Sequence, residues 1–261
     1  MKVVSVNING IRAGHRKGLF DWLAELAPDV VCIQETKAQI SDLSDPVFHP
    51  EGYHCYYHDA QKRGYSGVAI YLKQKPERVT RGLGWPCADD EGRYIQADCG
   101  NLSIASLYLP SGSAKVERQA LKFDFMARYA QQLEAMRDSG RSWIICGDWN
   151  IVHKEIDIKN FKANQKNSGC LPQERAWLDT LFGEMGWVDG FRVINQAPSE
   201  YTWWSNRGRS WDNNVGWRID YQVITSDLRD KVRAASIYKD QRFSDHAPLV
   251  MEYDVCWGAG E

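Results

Sequence analysis

The stretch Ser142–Asn150, SWIICGDWN, constrains this chain more than any other. An apolar run, Trp143, Ile144 and Ile145, has the character of a buried strand, yet it ends on an acid, a tryptophan and an amide. In an extended chain, residues two apart point the same way. Asp148 and Asn150 therefore face one site, while Trp149 turns toward the packed interior. One carboxylate and one amide are fixed side by side at a sheet edge.

The 261 residues suffice for one large core or two modest ones, and the hydrophobic and charged fractions, 43% and 25%, are ordinary for a globular chain. A net charge of −2 gives no global sign of a nucleic-acid partner, so any such contact must come from local charge, such as the four lysines within 151–168. Aromatic content is the outlier: of eleven Trp, four lie within 203–217. The seven Cys are widely spaced, without CxxC pairs or His/Cys clusters, which argues against a zinc site or a disulfide frame. Cys32 and Cys146 sit inside apolar runs, as small buried hydrophobes do. The N-terminal apolar run is too short for a signal core or a membrane span, so the expected setting is the cytoplasm.

Residues 2–8 read as a short strand that delivers Asn7 and Asn9, and Gly10 breaks it. A helix is expected over 17–26, then a strand over 29–34 that ends on Glu35. Strands over 53–58, 67–72, 93–98 and 102–109, separated by turns, suggest an antiparallel meander whose last member ends on Tyr108. The long helical pattern at 114–138 places Val116, Ala120, Phe123, Ala127, Ala130 and Leu133 on its apolar stripe. The Asn- and Lys-rich stretch 151–170 reads as a surface loop, and Pro172 opens a further helix. Strands at 201–204 and 217–225 are joined by a connection rich in Trp and Arg, and the chain closes with SDHAP and an alternating strand. No low-complexity linker interrupts residues 1–261, so one domain is expected, with two sheets packed face to face and helices outside.

The groups at strand ends are Asn7, Asn9, Glu35, Tyr108, Asp148, Asn150, Asp220, Asp245 and His246. Apart from one imidazole they are all oxygen donors, a set that suits Mg²⁺ or Mn²⁺ and not zinc. Glu35 is the first choice of ligand, with Asn9 and Asp245 behind it. Hydrolysis of a phosphodiester needs an oriented water, stabilised oxyanions and a neutralised leaving group. Asp148 can orient and deprotonate water with Asn150 fixing its position, and His246 can reach a phosphate oxygen if Asp220 holds its other nitrogen. Each group alone also has a structural reading: turn chemistry for Asp148, Asn7 and Asn9, a solvated strand end for Glu35, and core packing for Tyr108 and the Trp cluster. Their joint occurrence at strand ends favours chemistry.

The blocks VNINGIRAG (6–14), IQETK (33–37), GYSGVAIY (64–71), LYLPSG (107–112), CGDWNI (146–151), GWRIDY (216–221) and SDHAPL (244–249) together resemble the exonuclease III family of apurinic/apyrimidinic endonucleases. They fall in that family's order and span nearly the whole chain. The resemblance implies an α/β fold, a four-layer α/β sandwich of two packed mixed β-sheets flanked by helices. It implies hydrolysis 5′ to an abasic site in duplex DNA, with the accompanying 3′–5′ exonuclease and 3′-phosphodiesterase activities left open. It also implies a Mg²⁺ cofactor for which Mn²⁺ can substitute. Nothing in the residues suggests an oligomer, and a monomer is expected. Glu35 would bind the metal with Asn9 and Asp245. Asp148 would activate water, aided by Asn150 and Asn7, while His246, paired with Asp220, and Tyr108 would contact the scissile phosphate. Trp203, Trp217 and Ile219 would form an apolar pocket for the flipped-out abasic sugar, which offers no base edge to read. Asn164 and Asn167 would grip phosphates, and Arg207 and Arg209 would reach into the duplex.

Two positions depart from that pattern. Asn9 stands where some relatives carry Asp, which weakens that ligand position, and Ser111 replaces an Asn that contacts phosphate. Two other classes share the architecture: an RNA-associated regulator resembling the catabolite repression control protein, and a phosphatase of lipid or inositol phosphates. The regulator has its catalytic positions replaced, whereas Glu35, Asp148, Asn150, Asp245 and His246 are all present here. The Trp-rich 203–217 segment and the Asn/Lys loop favour a nucleic acid over a small phosphate ester.

Overall fold

The runs VVSVN, VVCIQ and WIICGD are buried along their whole length, so the sheets that contain them must be covered on both faces. The structure, a computed structural model, describes residues 1–112 and 116–257. Its first strands are β1 Lys2–Asn7, β2 Val30–Gln34, β3 His54–His58, β4 Val68–Leu72, β5 Arg78–Arg81, β6 Tyr94–Cys99 and β7 Leu102–Tyr108. Then come β8 Ser142–Asp148, β9 Val188–Asp189, β10 Trp203–Trp204, β11 Gly216–Trp217, β12 Asp220–Ile224, β13 Val232–Ile237 and β14 Leu249–Tyr253. The helices are α1 Ile11–Arg16, α2 Leu19–Leu26, α3 Pro86–Asp89, α4 Val116–Asp138, α5 Phe161–Asn164, α6 Pro172–Phe182 and α7 Gly190–Ile194.

Two six-stranded sheets result, in the orders β13-β14-β1-β2-β4-β3 and β5-β6-β7-β8-β12-β9, with a small ribbon of β10 and β11 beside them. Each large sheet is mixed, with one parallel pair, β1 with β2 and β7 with β8, among antiparallel neighbours. Val3, Cys32 and Ile70 from the first sheet share a core with Ile104, Ile144 and Cys146 from the second. Polar bridges cross this interior as well: Gln34 Nε2 donates to Ser106 Oγ at 2.9 Å, and Gln222 Nε2 to the Val3 carbonyl at 3.1 Å. On the outer faces, α2 buries Leu19, Phe20, Trp22 and Leu23 against the first sheet. Each is worth roughly 1.5–3 kcal/mol of apolar burial. Helix α4 packs Phe125, Met126, Tyr129 and Leu133 against the second sheet. Helix, sheet, sheet and helix make the expected four-layer α/β sandwich. Among the described residues no helix is long and apolar enough to cross a membrane.

Several local expectations are corrected. The helix expected at 17–26 is α2, and an unforeseen helix, α1, precedes it, with Gly18 turning left-handed at φ +83° between them. The meander is divided: β3 and β4 pair in one sheet, β6 and β7 in the other. The strand at 217–225 breaks at Arg218 and Ile219, whose N–H groups leave the ladder for the Asp157 carbonyl (2.7 Å) and Thr202 Oγ1 (3.1 Å). The polar loop 151–170 contains a 3₁₀ turn at Glu155–Asp157 as well as α5. Strands β5, β9 and β13 and helices α3 and α7 were not foreseen. The stripe of α4 is rotated: Val116 is 78% exposed, and Lys122 joins the buried face instead. The first residues expected in that helix, 114 and 115, lie outside the described residues.

The register carries the functional residues. Antiparallel β8 and β12 set Asp148 opposite Asp220, and parallel β7 and β8 set Tyr108 beside Asp148. Gly147 permits the close approach of β7, because a Cβ there would lie 2.3 Å from the Leu107 carbonyl oxygen. Gly147→Ala is expected to lower stability by about 1–3 kcal/mol through this backbone clash. Thermal denaturation checks it, and a wild-type midpoint would contradict the close packing.

Candidate active site

Strand exits form the site, and three of them leave their strands by a left-handed turn: Asn9 at φ +49°, Glu35 at +53° and Asn150 at +53°. Such turns are uncommon for residues with a Cβ and persist where surrounding contacts hold them. At Asn150 the backbone N–H donates to Asp148 Oδ1 at 2.9 Å and the side-chain Nδ2 to the Leu109 carbonyl at 2.9 Å. Trp149, between them, is fully buried as expected.

Asn7 is the junction of the two sheets. Its Nδ2 donates to Glu35 Oε1 and to Asp148 Oδ2, both at 2.8 Å, and its Oδ1 accepts the Asn9 N–H at 3.0 Å. His246 Nδ1 donates to Asp220 Oδ2 at 2.9 Å, while its Nε2 lies 3.8 Å from Asp148 Oδ2, too far for a hydrogen bond. Asn9 Nδ2 donates to Asp245 Oδ1 at 2.8 Å, and the Trp203 indole N–H to Asp245 Oδ2 at 3.1 Å. Asn7, Asn9, Glu35, Asp148, Asn150, Asp220, Asp245, His246 and Trp203 are thus joined in one cluster of contacts.

Burial disfavours a charged imidazole at position 246, but Asp220 and then Asp148 outweigh it and raise the His246 pKa to about 10. Burial raises Asp148 to about 7, against the pull of His246 and with a further push from Asp220 and Glu35. The Tyr108 hydroxyl is driven well above its ordinary value by burial, then by Glu35 and Asp148. Burial would raise Asp245, but His246 and the bonds from Asn9 and Trp203 bring it below the usual carboxylate value.

Glu35, Asp148 and His246 each offer an atom within 4.8 Å of the others, which marks this point as able to hold a cation. With Nδ1 engaged by Asp220 and the ring drawn toward its charged form by Asp220 and Asp148, His246 is a poorer donor to a cation than the neighbouring oxygens, which are the fitting ligands. Glu35, with Asn9 and Asp245 linked behind it, fits a hard divalent cation. Lys37 complicates that set: its ammonium lies 2.7 Å from Glu35 Oε2 and also donates to Asn9 Oδ1.

Beside the acids stands an apolar wall. Trp203 and Trp217 meet edge to face with ring centroids 5.6 Å apart, and Ile219 packs with them over Val152, Ile158 and Cys170. The Trp203 ring lies 6.5 Å from that of His246, so the wall adjoins the polar groups directly. Gly169 brings the loop carrying Asn164 and Asn167 against this wall, since a Cβ on it would lie 3.1 Å from the Trp217 ring. The two amides bond each other, Asn167 Nδ2 donating to Asn164 Oδ1 at 2.8 Å. Arg207 and Arg209 are exposed on the outer connection, and Arg209 pairs with Asp212 at 3.1 Å. Among the described residues neither makes a hydrogen bond or ion pair with the polar cluster.

The profile of the Endonuclease/Exonuclease/phosphatase family matches residues 4–246. The chain belongs to this family. It is 40% identical over 260 residues to an exodeoxyribonuclease of Bacillus subtilis, covering 98% of this chain and all of that one. It is 36% identical to the DNA repair nuclease APEX1 of Danio rerio over 258 residues, covering 96% of this chain and 81% of that one. Among solved structures, an AP endonuclease from Archaeoglobus fulgidus superposes with a TM-score of 0.88 at 28% identity, covering 98% of this chain and all of that one.

Some groups that build this family member's site escaped the sequence reading. Lys37 lies within IQETK, but nothing in the spacing marks it as the partner of Glu35. Ser244 Oγ donates to the Asn7 carbonyl at 2.6 Å and accepts the His246 N–H at 2.9 Å, tying SDHAP to β1. Thr202 Oγ1 accepts the N–H groups of Ile219 and Asp220, both at 3.1 Å, and so shapes the turn between wall and acid. A short polar residue in a strand-end motif was the available signal for both.

The His246 pKa is raised from 6.5 to about 10, so the stability this imidazolium contributes is fully present below pH 6.5 and is lost as pH rises through about 10. The ¹⁵N shifts of its ring should report protonation well above neutrality, and Asp220→Asn should lower the midpoint. A wild-type ring already neutral at about pH 8 would contradict the paired arrangement.

Proposed function

We propose that this chain hydrolyses the phosphodiester 5′ to an abasic site in duplex DNA, leaving a 3′-hydroxyl and a 5′-deoxyribose phosphate, as a step of base excision repair. The chain is a metal-dependent phosphodiester hydrolase. The observation that carries the finer reading is the contact between the polar cluster and the aromatic wall through the Trp203–Asp245 hydrogen bond. A sugar without a base fits against Trp203, Trp217 and Ile219, and its 5′ phosphate then lies over His246 and Asp148. A normal nucleotide brings a base that such a wall excludes.

In this reading Asp148 takes a proton from the attacking water. Its raised pKa, about 7, makes it a better base than a free carboxylate while it stays substantially ionised near neutrality. Asn7 aims that carboxylate, and Asn150 orients the water through its amide. His246, held by Asp220, donates Nε2–H to a non-bridging phosphate oxygen as charge develops there. Tyr108, whose hydroxyl stays protonated at all relevant pH, serves as a second donor to the phosphate. Glu35, with Asn9 and Asp245, would hold Mg²⁺ or Mn²⁺, which when bound would supply charge neutralisation for the phosphodiester. Asn164 and Asn167 hold flanking phosphates, and Arg207 and Arg209 meet the duplex beyond the wall.

Residues 1–261 are taken as one catalytic domain because both sheets contribute to the site. All seven cysteines are free, which supports a reducing compartment such as the cytoplasm.

The test is a duplex oligonucleotide with a single tetrahydrofuran abasic analogue, incubated with Mg²⁺ or with chelator. One metal-dependent nick just 5′ of the analogue is expected, and Asp148→Asn should lose about 10³-fold or more in rate while keeping its affinity for the duplex. An intact duplex with folded protein and metal would overturn the reading in favour of another phosphate ester or a non-catalytic role.

A further inference from the structure

Lys122 is a cation on a buried helix face. Its ammonium lies 2.6 Å from Glu174 Oε1, and both side chains are 0% exposed. A buried ion pair is weak evidence of stabilisation for its own sake, since desolvation offsets much of the attraction. What this pair touches is more informative. Lys122 Nζ donates to the Asn150 carbonyl at 2.8 Å. Glu174 Oε2 accepts the Gly169 N–H at 2.6 Å and the Leu171 N–H at 3.0 Å, and Oε1 accepts Gln119 Nε2 at 3.0 Å.

Asn150 sits at φ +53° with its N–H, Nδ2 and C=O all engaged, by Asp148, Leu109 and Lys122 respectively. Its Oδ1 is the polar atom that makes no hydrogen bond among the described residues. Lys122 therefore fixes the outer side of the peptide whose other end carries the amide facing the reaction. Glu174 fixes the loop that holds Asn164 and Asn167, through the backbone just after them. One buried pair thus joins α4, α6, the end of β8 and that loop into a single rigid body.

We propose that Lys122 and Glu174 are positioning residues, which act through Asn150 and the 164–171 loop so that the water-orienting amide and the DNA-gripping loop keep one fixed relation. This deepens the functional reading above and rests on it. Neither residue reaches substrate. Loss of the Lys122 bond frees the Asn150 peptide to relax from its left-handed turn and moves Oδ1, and a misplacement of about 1 Å or less at a reacting centre costs about 10–100-fold in rate. The loop keeps its own hydrogen bonds to residue 174, so duplex affinity is little affected.

The experiment compares Lys122→Met and the charge-balanced double variant Lys122→Met/Glu174→Gln with the wild type on the tetrahydrofuran duplex. The double variant leaves no unpaired carboxylate in the interior and so guards against simple misfolding. Leu133→Ala, in the core about 16 Å further along α4, serves as a control that loses stability without touching the site. Both Lys122 variants are expected to lose about tenfold or more in kcat, with KM and chelator-state duplex affinity within about twofold, whereas Leu133→Ala keeps its kcat. A kcat in the Lys122 variants that falls no further than that of Leu133→Ala would reduce the pair to a structural role and overturn the proposal. Wild-type protein that fails to nick the duplex would instead overturn the functional reading, and the proposal with it.

Discussion

The two hydrogens of one amide connect the halves of this molecule. Asn7 Nδ2, at the end of β1, reaches Glu35 in its own sheet and Asp148 in the opposite sheet, each at 2.8 Å. Two carboxylates this close repel, and the shared donor offsets part of that push; burial, together with what remains of it, still raises Asp148. The bridge lets both face a common point. Asp148 in turn lies opposite Asp220, and Asp220 holds His246, so the sandwich packing, the β8–β12 register and the SDHAP turn all converge on that point.

The polarity of this interior explains the irregularities around it. Left-handed turns at Asn9, Glu35 and Asn150 cost backbone energy, of order 1–3 kcal/mol each, and buried hydrogen bonds hold them. The β11–β12 break at Arg218 and Ile219 is of the same kind: Thr202 and Asp157 take the N–H groups that a ladder would have used, and Ile219 is turned into the apolar wall. Arg218 is anchored by Asp157 at 2.8 Å and Asp189 at 2.7 Å, which holds that turn from behind. Fixed dipoles and charges in a water-poor site do not have to reorganise as charge develops on a phosphate, and that is the advantage of building it so rigidly.

Much of this was legible in the residues. Apolar strand runs ending on acids and amides singled out Asp148, Glu35 and Asn7, which the fold brings into contact, and strand alternation correctly sent Trp149 inward. The two-sheet architecture followed from the strand and helix order. Pairing across the sandwich was not legible, because β3–β4 and β6–β7 look like one meander until the partners of β4 are known. The face of α4 was misjudged for a physical reason: hydropathy rejects a lysine from the interior, and its acceptors, Glu174 and the Asn150 carbonyl, lie 52 and 28 residues further along the chain. Lys37 escaped for a different reason: its pairing with Glu35, two residues away, depends on left-handed turns at both positions that nothing in the residue spacing announces. Ion pairs and hydrogen bonds between strand ends depend on the fold and leave no periodicity in the sequence.

The Asn7 amide sets the geometry on which hydrolysis depends. The most direct measurement of this is the single-turnover rate of Asn7→Ala on a duplex with one abasic analogue, with metal saturating and duplex binding measured alongside. A fall of about 100-fold or more is expected, with binding and folding retained, because Glu35 and Asp148 lose the donor that holds them together. A rate within about twofold of wild type would show that the carboxylates find their places without the bridge, and would contradict the account.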